Sequence, residues 1–189
     1  KLGIRHSQKA LSDLWCRLIM PMNVATFESF KRSGVDLLKD HRDDFPPEYL
    51  RWIEKGYTMT TRDFFRDQEI RSEIFDSIQS ILGEYHLLIT PTVASMPVDN
   101  MSNGNTVGPN EIAGEAVDPL IGWCLTYFLN FTGHPAASIP AGMSADQLPV
   151  GMQIIGRRYA DQDVLTASRV FESLRPWESN YKICANRNF

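Results

Sequence analysis

Apolar residues recur first at helical spacing and later in short unbroken runs. After Ser7, a suitable N-cap, Leu11, Leu14, Trp15, Leu18 and Ile19 share one face of a helix. Pro21 predicts its end, since proline lacks the amide donor a helix interior needs. A second helix is predicted from about Asn23 to Asp40, with Phe27, Phe30 and Leu37 or Leu38 turned inward. Asp43-Asp44-Phe45-Pro46-Pro47 breaks the pattern, and Pro47 opens a short third helix that Gly56 closes. The clearest helix spans about Thr61 to Leu82. Its Ile70, Ile74, Ile78 and Leu82 fall one turn apart, and Phe75 and Ile81 widen the stripe. The remaining positions, Arg62, Arg66, Asp67, Glu69, Arg71 and Glu73, read as a solvated face, and Gly83 as the residue just past the helix end.

From Leu87 the period changes. Leu87 to Thr90 reads as a buried strand stopped by Pro91. Ser95 to Val117 is polar, rich in Gly and Pro and without periodicity, and an irregular stretch of that length points to function or mobility. Pro119 opens a helix that includes the apolar run Leu125 to Leu129, followed by a polar corner, Asn130 to Pro135. Two apolar runs, Ala136 to Pro140 and Val150 to Ile155, flank a turn and read as buried strands closed by Gly156. Ala136, Ala137 and Ser138 carry so little bulk that backbone or ligand must pack closely there. Asp161 is the expected N-cap of a last helix with Val164, Ala167, Phe171 and Leu174 as its buried stripe, ended by Pro176-Trp177. Helices alternating with strands give an α/β class. The expected organisation is a single domain or fragment: 1–86 mainly helical, 87–177 strand and helix, and 178–189 a tail with no assigned element.

Composition narrows the functions. The chain has 189 residues, enough for one domain with a true core, and a net charge of −4 that gives no reason to expect nucleic acid or an acidic membrane surface as partner. No apolar run is long enough for a membrane-spanning helix. The first residues do not read as a secretion signal or as a natural start, since methionine is absent there. Cys16, Cys124 and Cys184 are odd in number and widely spaced, which suits a reducing, cytoplasmic compartment and removes any meaning from the N-x-S/T triplets at Asn100 and Asn130.

Candidate chemistry is sparse. G-x-S-x-G is absent, and Ser179 and Lys182 match S-x-x-K only in the tail, without strand–turn–helix context. No pair among His6, His41, His86 and His134 has metal-ligand spacing, so no metal site is expected. Ser138 reads as a hydroxyl satisfied by backbone, and His134 as a hydrogen-bonded residue that fixes its Gly-His-Pro corner. Gln153 on a buried strand needs partners and reads as a crosslink to a neighbouring loop, while Asn130, at a helix end, suits capping or holding the loop that carries the nucleophile. Thr90, Pro91 and Thr92 end a strand, where α/β proteins place ligands.

One combination is long enough to point to a family. N-F-T-G-H-P-A-A-S-I-P-A-G (130–142), L-P-V-G-M-Q-I-I-G-R-R (148–158), D-x-x-V-L from Asp161, and the late Pro176-Trp177 resemble the C-terminal part of the amidase signature family. The resemblance covers Leu87 to Trp177 well and the first half only in helical character. It implies amide hydrolysis by a Ser–cis-Ser–Lys triad, a mixed sheet flanked by helices, and no cofactor. The family's G-G-S-S-G-G-S-type stretch and its lysine are absent here, so the chain resembles a C-terminal portion without its nucleophile. The resemblance makes Thr90, Pro91 and Thr92 pocket wall, and makes Asn130, Gly133, His134, Pro135 and Gln153 the structural motif, with no catalytic residue in this chain. It extends to the amidase-like subunit of the tRNA-dependent glutamine amidotransferases, which commonly carries an acidic residue seven before the Asn of the corner, where it holds the glutamine amino group. Trp123 stands at that position and offers a ring face to an apolar or aromatic group. The partners so implied are a small amide substrate, a missing N-terminal portion and a second copy of the chain. The rivals are a non-catalytic binding or scaffolding module and a part of a transamidating complex.

Overall fold

A computed structural model describes residues 3–102 and 104–178. Ser179, Lys182, Cys184 and the other residues of 179–189 lie outside the described residues. The chain divides into two compact units. Gly3–Phe75 with Ala94–Cys124 form the first, and Asp76–Val93 with residues 125–178 form the second.

Helices build the first unit: α1 (Gln8–Arg32), α2 (Leu37–Asp40), α3 (Pro47–Thr58) and most of α4 (Thr61–Glu84). Ser7 caps α1 as expected, its side chain accepting from the Ala10 amide at 3.2 Å. Pro21 does not end that helix; it sits inside it. An interior proline costs about 3 kcal/mol. Here Cys16, Met20 and Phe27, on both sides of Pro21, enter one core cluster with Trp52 and Ile53. Burying each large apolar side chain is worth roughly 1.5–3 kcal/mol, so packing outweighs the lost bond. The predicted second helix therefore does not exist as such. The chain leaves α1 at Ser33, passes Gly34 at φ 94° and forms only the short α2. Phe30 is 47% exposed rather than inward. Gly56 does not close α3, which runs two residues further. It lies against α1, where a Cβ would come within 2.9 Å of Val24 Cγ2 and 3.0 Å of Met20 Cβ.

The charged positions of α4 are not uniformly solvated. Asp67 is 0% exposed and receives both Nε (2.8 Å) and Nη2 (3.0 Å) of Arg17 from α1. Gly83 lies within the helix, which extends to Glu84. The stretch expected to be irregular contains a small hairpin, β2 (Glu111–Ile112) and β3 (Glu115–Ala116), turned by Ala113 and Gly114, both at positive φ. Residues 119–123 form turns instead of a helix. Among the described residues no helix is long and apolar enough to cross a membrane.

The second unit holds β1 (Leu87–Pro91), α5 (Tyr127–Thr132), β4 (Ala136–Met143), β5 (Pro149–Gly156) and α6 (Asp161–Leu174). The α/β class stands. The strands form one sheet in the order β1-β5-β4, with both pairings antiparallel. Pro91 and Pro140 lie on the outer strands and Pro149 begins β5, the places where a missing amide donor is tolerated. Side chains alternate between the two faces. On one, Ile139 and Ile154 pack with Val164 of α6, joined by Leu87, Ala137, Met152, Ala167 and Phe171. Leu174 is 75% exposed and leaves the expected stripe. Asp161 is the first residue of α6, not its cap, and Ala160 precedes it.

Candidate functional site

The other face carries a polar group in its middle, beside Leu88, Ala136 and buried Ile155. The register places Thr90 opposite Gln153 on one side and Ser138 opposite Gln153 on the other. Buried Gln153 donates from Nε2 to Thr90 Oγ1 at 3.0 Å and toward the Leu125 carbonyl at 3.5 Å. The expected crosslink thus ties strand to strand and strand to the turn before α5. Pro91 ends β1. Thr92 follows, its amide donating to Gly151 O (3.1 Å) and its carbonyl accepting from Leu125 N (3.1 Å). Ser138 finds its partner in a side chain rather than in backbone: Thr92 Oγ1 and Ser138 Oγ lie 2.7 Å apart. A Cβ on Gly151 would sit 2.8 Å from Thr92 Oγ1 and 3.1 Å from Ser138 Oγ, so residue 151 has to be small for the two hydroxyls to meet. One O–H of such a pair serves the contact, and the other is left to donate elsewhere.

The corner is rigid. Gly133 caps α5 at φ 67°, a left-handed conformation that favours glycine, and its amide donates to Leu129 O at 2.6 Å. Asn130, expected to cap, lies inside the last turn with its side chain exposed. His134 is buried, with Nδ1 2.8 Å from Thr132 Oγ1 and Nε2 3.2 Å from Gln79 Oε1. A carbonyl oxygen only accepts, so Nε2 carries the proton and Nδ1 accepts from the Thr132 hydroxyl. Burial, and then the nearby positive charge of Arg158, hold His134 below its usual pKa and keep it neutral. Pro135 passes the chain to β4, its carbonyl accepting from Gly156 N at 3.0 Å. Gly133, His134 and Pro135 thus share one hydrogen-bonded corner, while Gln153 bonds elsewhere, to Thr90 and the Leu125 carbonyl.

Trp123 belongs to the first unit. It is half-buried, and its Nε1 donates to Pro119 O at 3.2 Å. The turn that carries it is anchored by Asp118, a residue that pattern along the chain does not single out. Asp118 is 2% exposed. Its Oδ2 accepts from Arg51 Nη2 (2.7 Å) and Trp52 Nε1 (3.1 Å), its Oδ1 from Leu120 N (2.9 Å), and its amide donates to Ser12 Oγ (3.2 Å). The signal available was weak: an Asp-Pro pair ahead of a turn.

The described residues hold little of their own for bond-breaking chemistry. Among them no group of three His, Cys, Asp or Glu is placed to hold a metal. Burial pushes the Cys16 and Cys124 thiols up, away from the reactive thiolate.

Comparisons with known proteins place this arrangement. The family model described as Amidase matches residues 11–165. An acylamidase from Rhodococcus erythropolis is 32% identical over 138 residues, covering 71% of this chain and 27% of its own length. A glutamyl-tRNA(Gln) amidotransferase subunit from Thermotoga maritima is 34% identical over 120 residues, covering 62% of this chain and 22% of the relative. Among solved structures, a bacterial aryl acylamidase of the amidase signature enzymes superposes with a TM-score of 0.95 at 46% identity, over 100% of this chain and 38% of that one. The chain thus spans about a quarter of the length of these curated relatives.

Proposed function

The chain belongs to the amidase family, and from that premise we propose that it is a scaffold and substrate-contacting part of an enzyme that hydrolyses carboxylic amide C–N bonds. The observation that carries the reading is the likeness to the aryl acylamidase at 46% identity along the whole chain. Sequence outside these residues supplies the Ser–Ser–Lys set of the family resemblance, in which lysine draws a proton through the bridging serine from the nucleophile while backbone N–H groups hold the oxyanion. Thr90, Pro91 and Thr92 of the second unit contact substrate, with the unspent hydroxyl proton of the Thr92–Ser138 pair as a donor. Trp123 of the first unit contacts an aryl or other apolar group of the amide. Its ring in place of a carboxylate argues against glutamine as substrate and so against the transamidating reading. Asn130, Gly133, His134, Pro135 and Gln153 keep the fold in register. We place the enzyme in the cytoplasm, which the widely spaced cysteines suit, and assign it a partner, either the remaining portion of the enzyme or a second copy.

The test is turnover of a chromogenic aryl amide. The purified chain should leave it intact while a complete amidase consumes it, because loss of a nucleophile and its base costs many orders of magnitude. Hydrolysis that rises with the purity of the chain overturns the reading.

A further inference from the structure

We propose that Gly108 determines which amides the site accepts, acting through the indole of Trp123. The inference rests on the assignment of Trp123 to substrate contact made above. Gly108 lies flush against the five-membered half of the ring. A Cβ at this position would fall 2.1 Å from Trp123 Cδ1, 2.2 Å from Nε1 and 2.4 Å from Cγ. Ordinary carbon contacts begin near 3.5 Å, so this overlap is too deep for a small adjustment. The two residues also share one anchor. The Pro119 carbonyl accepts from Gly108 N at 2.8 Å and from Trp123 Nε1 at 3.2 Å, which occupies both of its lone pairs. The turn beneath has no slack, because Gly122 N donates to Asp118 O at 2.6 Å and the Trp123 carbonyl accepts from Ala94 N at 2.8 Å.

A side chain at position 108 must therefore move the ring instead of the backbone. The indole would leave its rotamer and give up the bond to Pro119. Gly108 works as a stop that sets the plane of the ring, and the ring edge turned away from Gly108 is what an incoming group meets. Gly108 is a specificity-determining residue that acts without touching substrate.

The experiment is a double-mutant cycle in the complete enzyme, with kcat/KM measured on an N-acyl aniline and on acetamide for the native enzyme, Gly108→Ala, Trp123→Ala and the double variant. Gly108→Ala should change the ratio of the two kcat/KM values by roughly tenfold or more, the scale on which apolar pockets discriminate, and the double variant should match Trp123→Ala. A purely structural role lowers both substrates alike. An unchanged ratio in Gly108→Ala beside a shifted one in Trp123→Ala overturns the role of Gly108 and leaves the tryptophan in place. An unchanged ratio in both removes Trp123 from substrate contact and the proposal with it. Should Gly108→Ala alone fail to fold, the double variant decides, since the missing ring makes room for the methyl. A ratio equal to that of Trp123→Ala supports the proposal, and a different ratio overturns it.

Discussion

Replacing Asp118 with Asn changes one atom and should cost nearly as much stability as replacing it with Ala. In Asp118→Ala, Trp52 Nε1 loses its acceptor inside a side chain that is 0% exposed, at about 1–3 kcal/mol. Leu120 N loses a turn hydrogen bond worth about 0.5–1.5 kcal/mol. Arg51 is close to half exposed and keeps Glu48 at 2.8 Å, so water screens its loss to about 1 kcal/mol at most. The sum is about 2–5 kcal/mol, or roughly 4–20 °C in Tm for a chain of this size. Asparagine of the same shape does not rescue it. With its oxygen toward Leu120 N, its NH2 group faces Trp52 Nε1–H and Arg51 Nη2, donor against donor. Turned over, the NH2 group meets the Leu120 amide instead. Thermal unfolding followed by tryptophan emission should place Asp118→Asn within about 1 kcal/mol of Asp118→Ala. An Asn variant as stable as the native protein would show that the carboxylate charge and its two acceptor oxygens are not what hold this turn.

The lowered pKa of His134 carries a sign. The unfolded residue takes its proton near pH 6.5 and the folded one only below that, so stability is at its full value above about 6.5 and falls as pH drops through 6.5 toward the depressed value, no more steeply than about 1.4 kcal/mol per pH unit. Urea midpoints between pH 8 and pH 5 should show this fall in the native protein and lack it in His134→Gln; parallel profiles refute it. The free edges of β1 and β4 among the described residues, with half or more of Val170 and Leu174 exposed on α6, predict association, because unpaired strand edges and apolar surface seek partners. Sedimentation velocity over a tenfold concentration range should show a dimer or larger species, and a monomer throughout refutes it.

What could be read from the sequence was whatever short-range pattern determines. The strands around Ala136 to Pro140 and Val150 to Ile155 are apolar runs with a turn between them, and they emerge as β4 and β5, each slightly longer. The isoleucine row of α4 emerges buried at Ile74, Ile78 and Leu82. Local reasoning failed at Pro21, where a rule about one residue lost to a core drawn from α1 and α3 together. It failed at Asp67 and Asp118, charged residues whose partners lie about 50 and 67 positions away in the chain. A charge looks solvated until its partner is known. Gly108 was invisible for the same reason: in a polar stretch with several glycines, nothing local marks the one that lies under a ring.

The strand order also sets a schedule. Among the described residues β5 is the last strand made and the middle one, and β1 and β4 meet only through it. A ribosome adding about 5–20 residues per second needs roughly 3–12 s to go from Pro91 to Pro149. Throughout that interval the nascent β1 lacks the strand it pairs with in this sheet, and β4 emerges with the same need. Translation speed between these two prolines is then a variable of the folding reaction. A pause placed before β5 lengthens the exposure of two sticky segments at once, whereas a pause after α6 comes when the three strands and the helix packed on them have all been made.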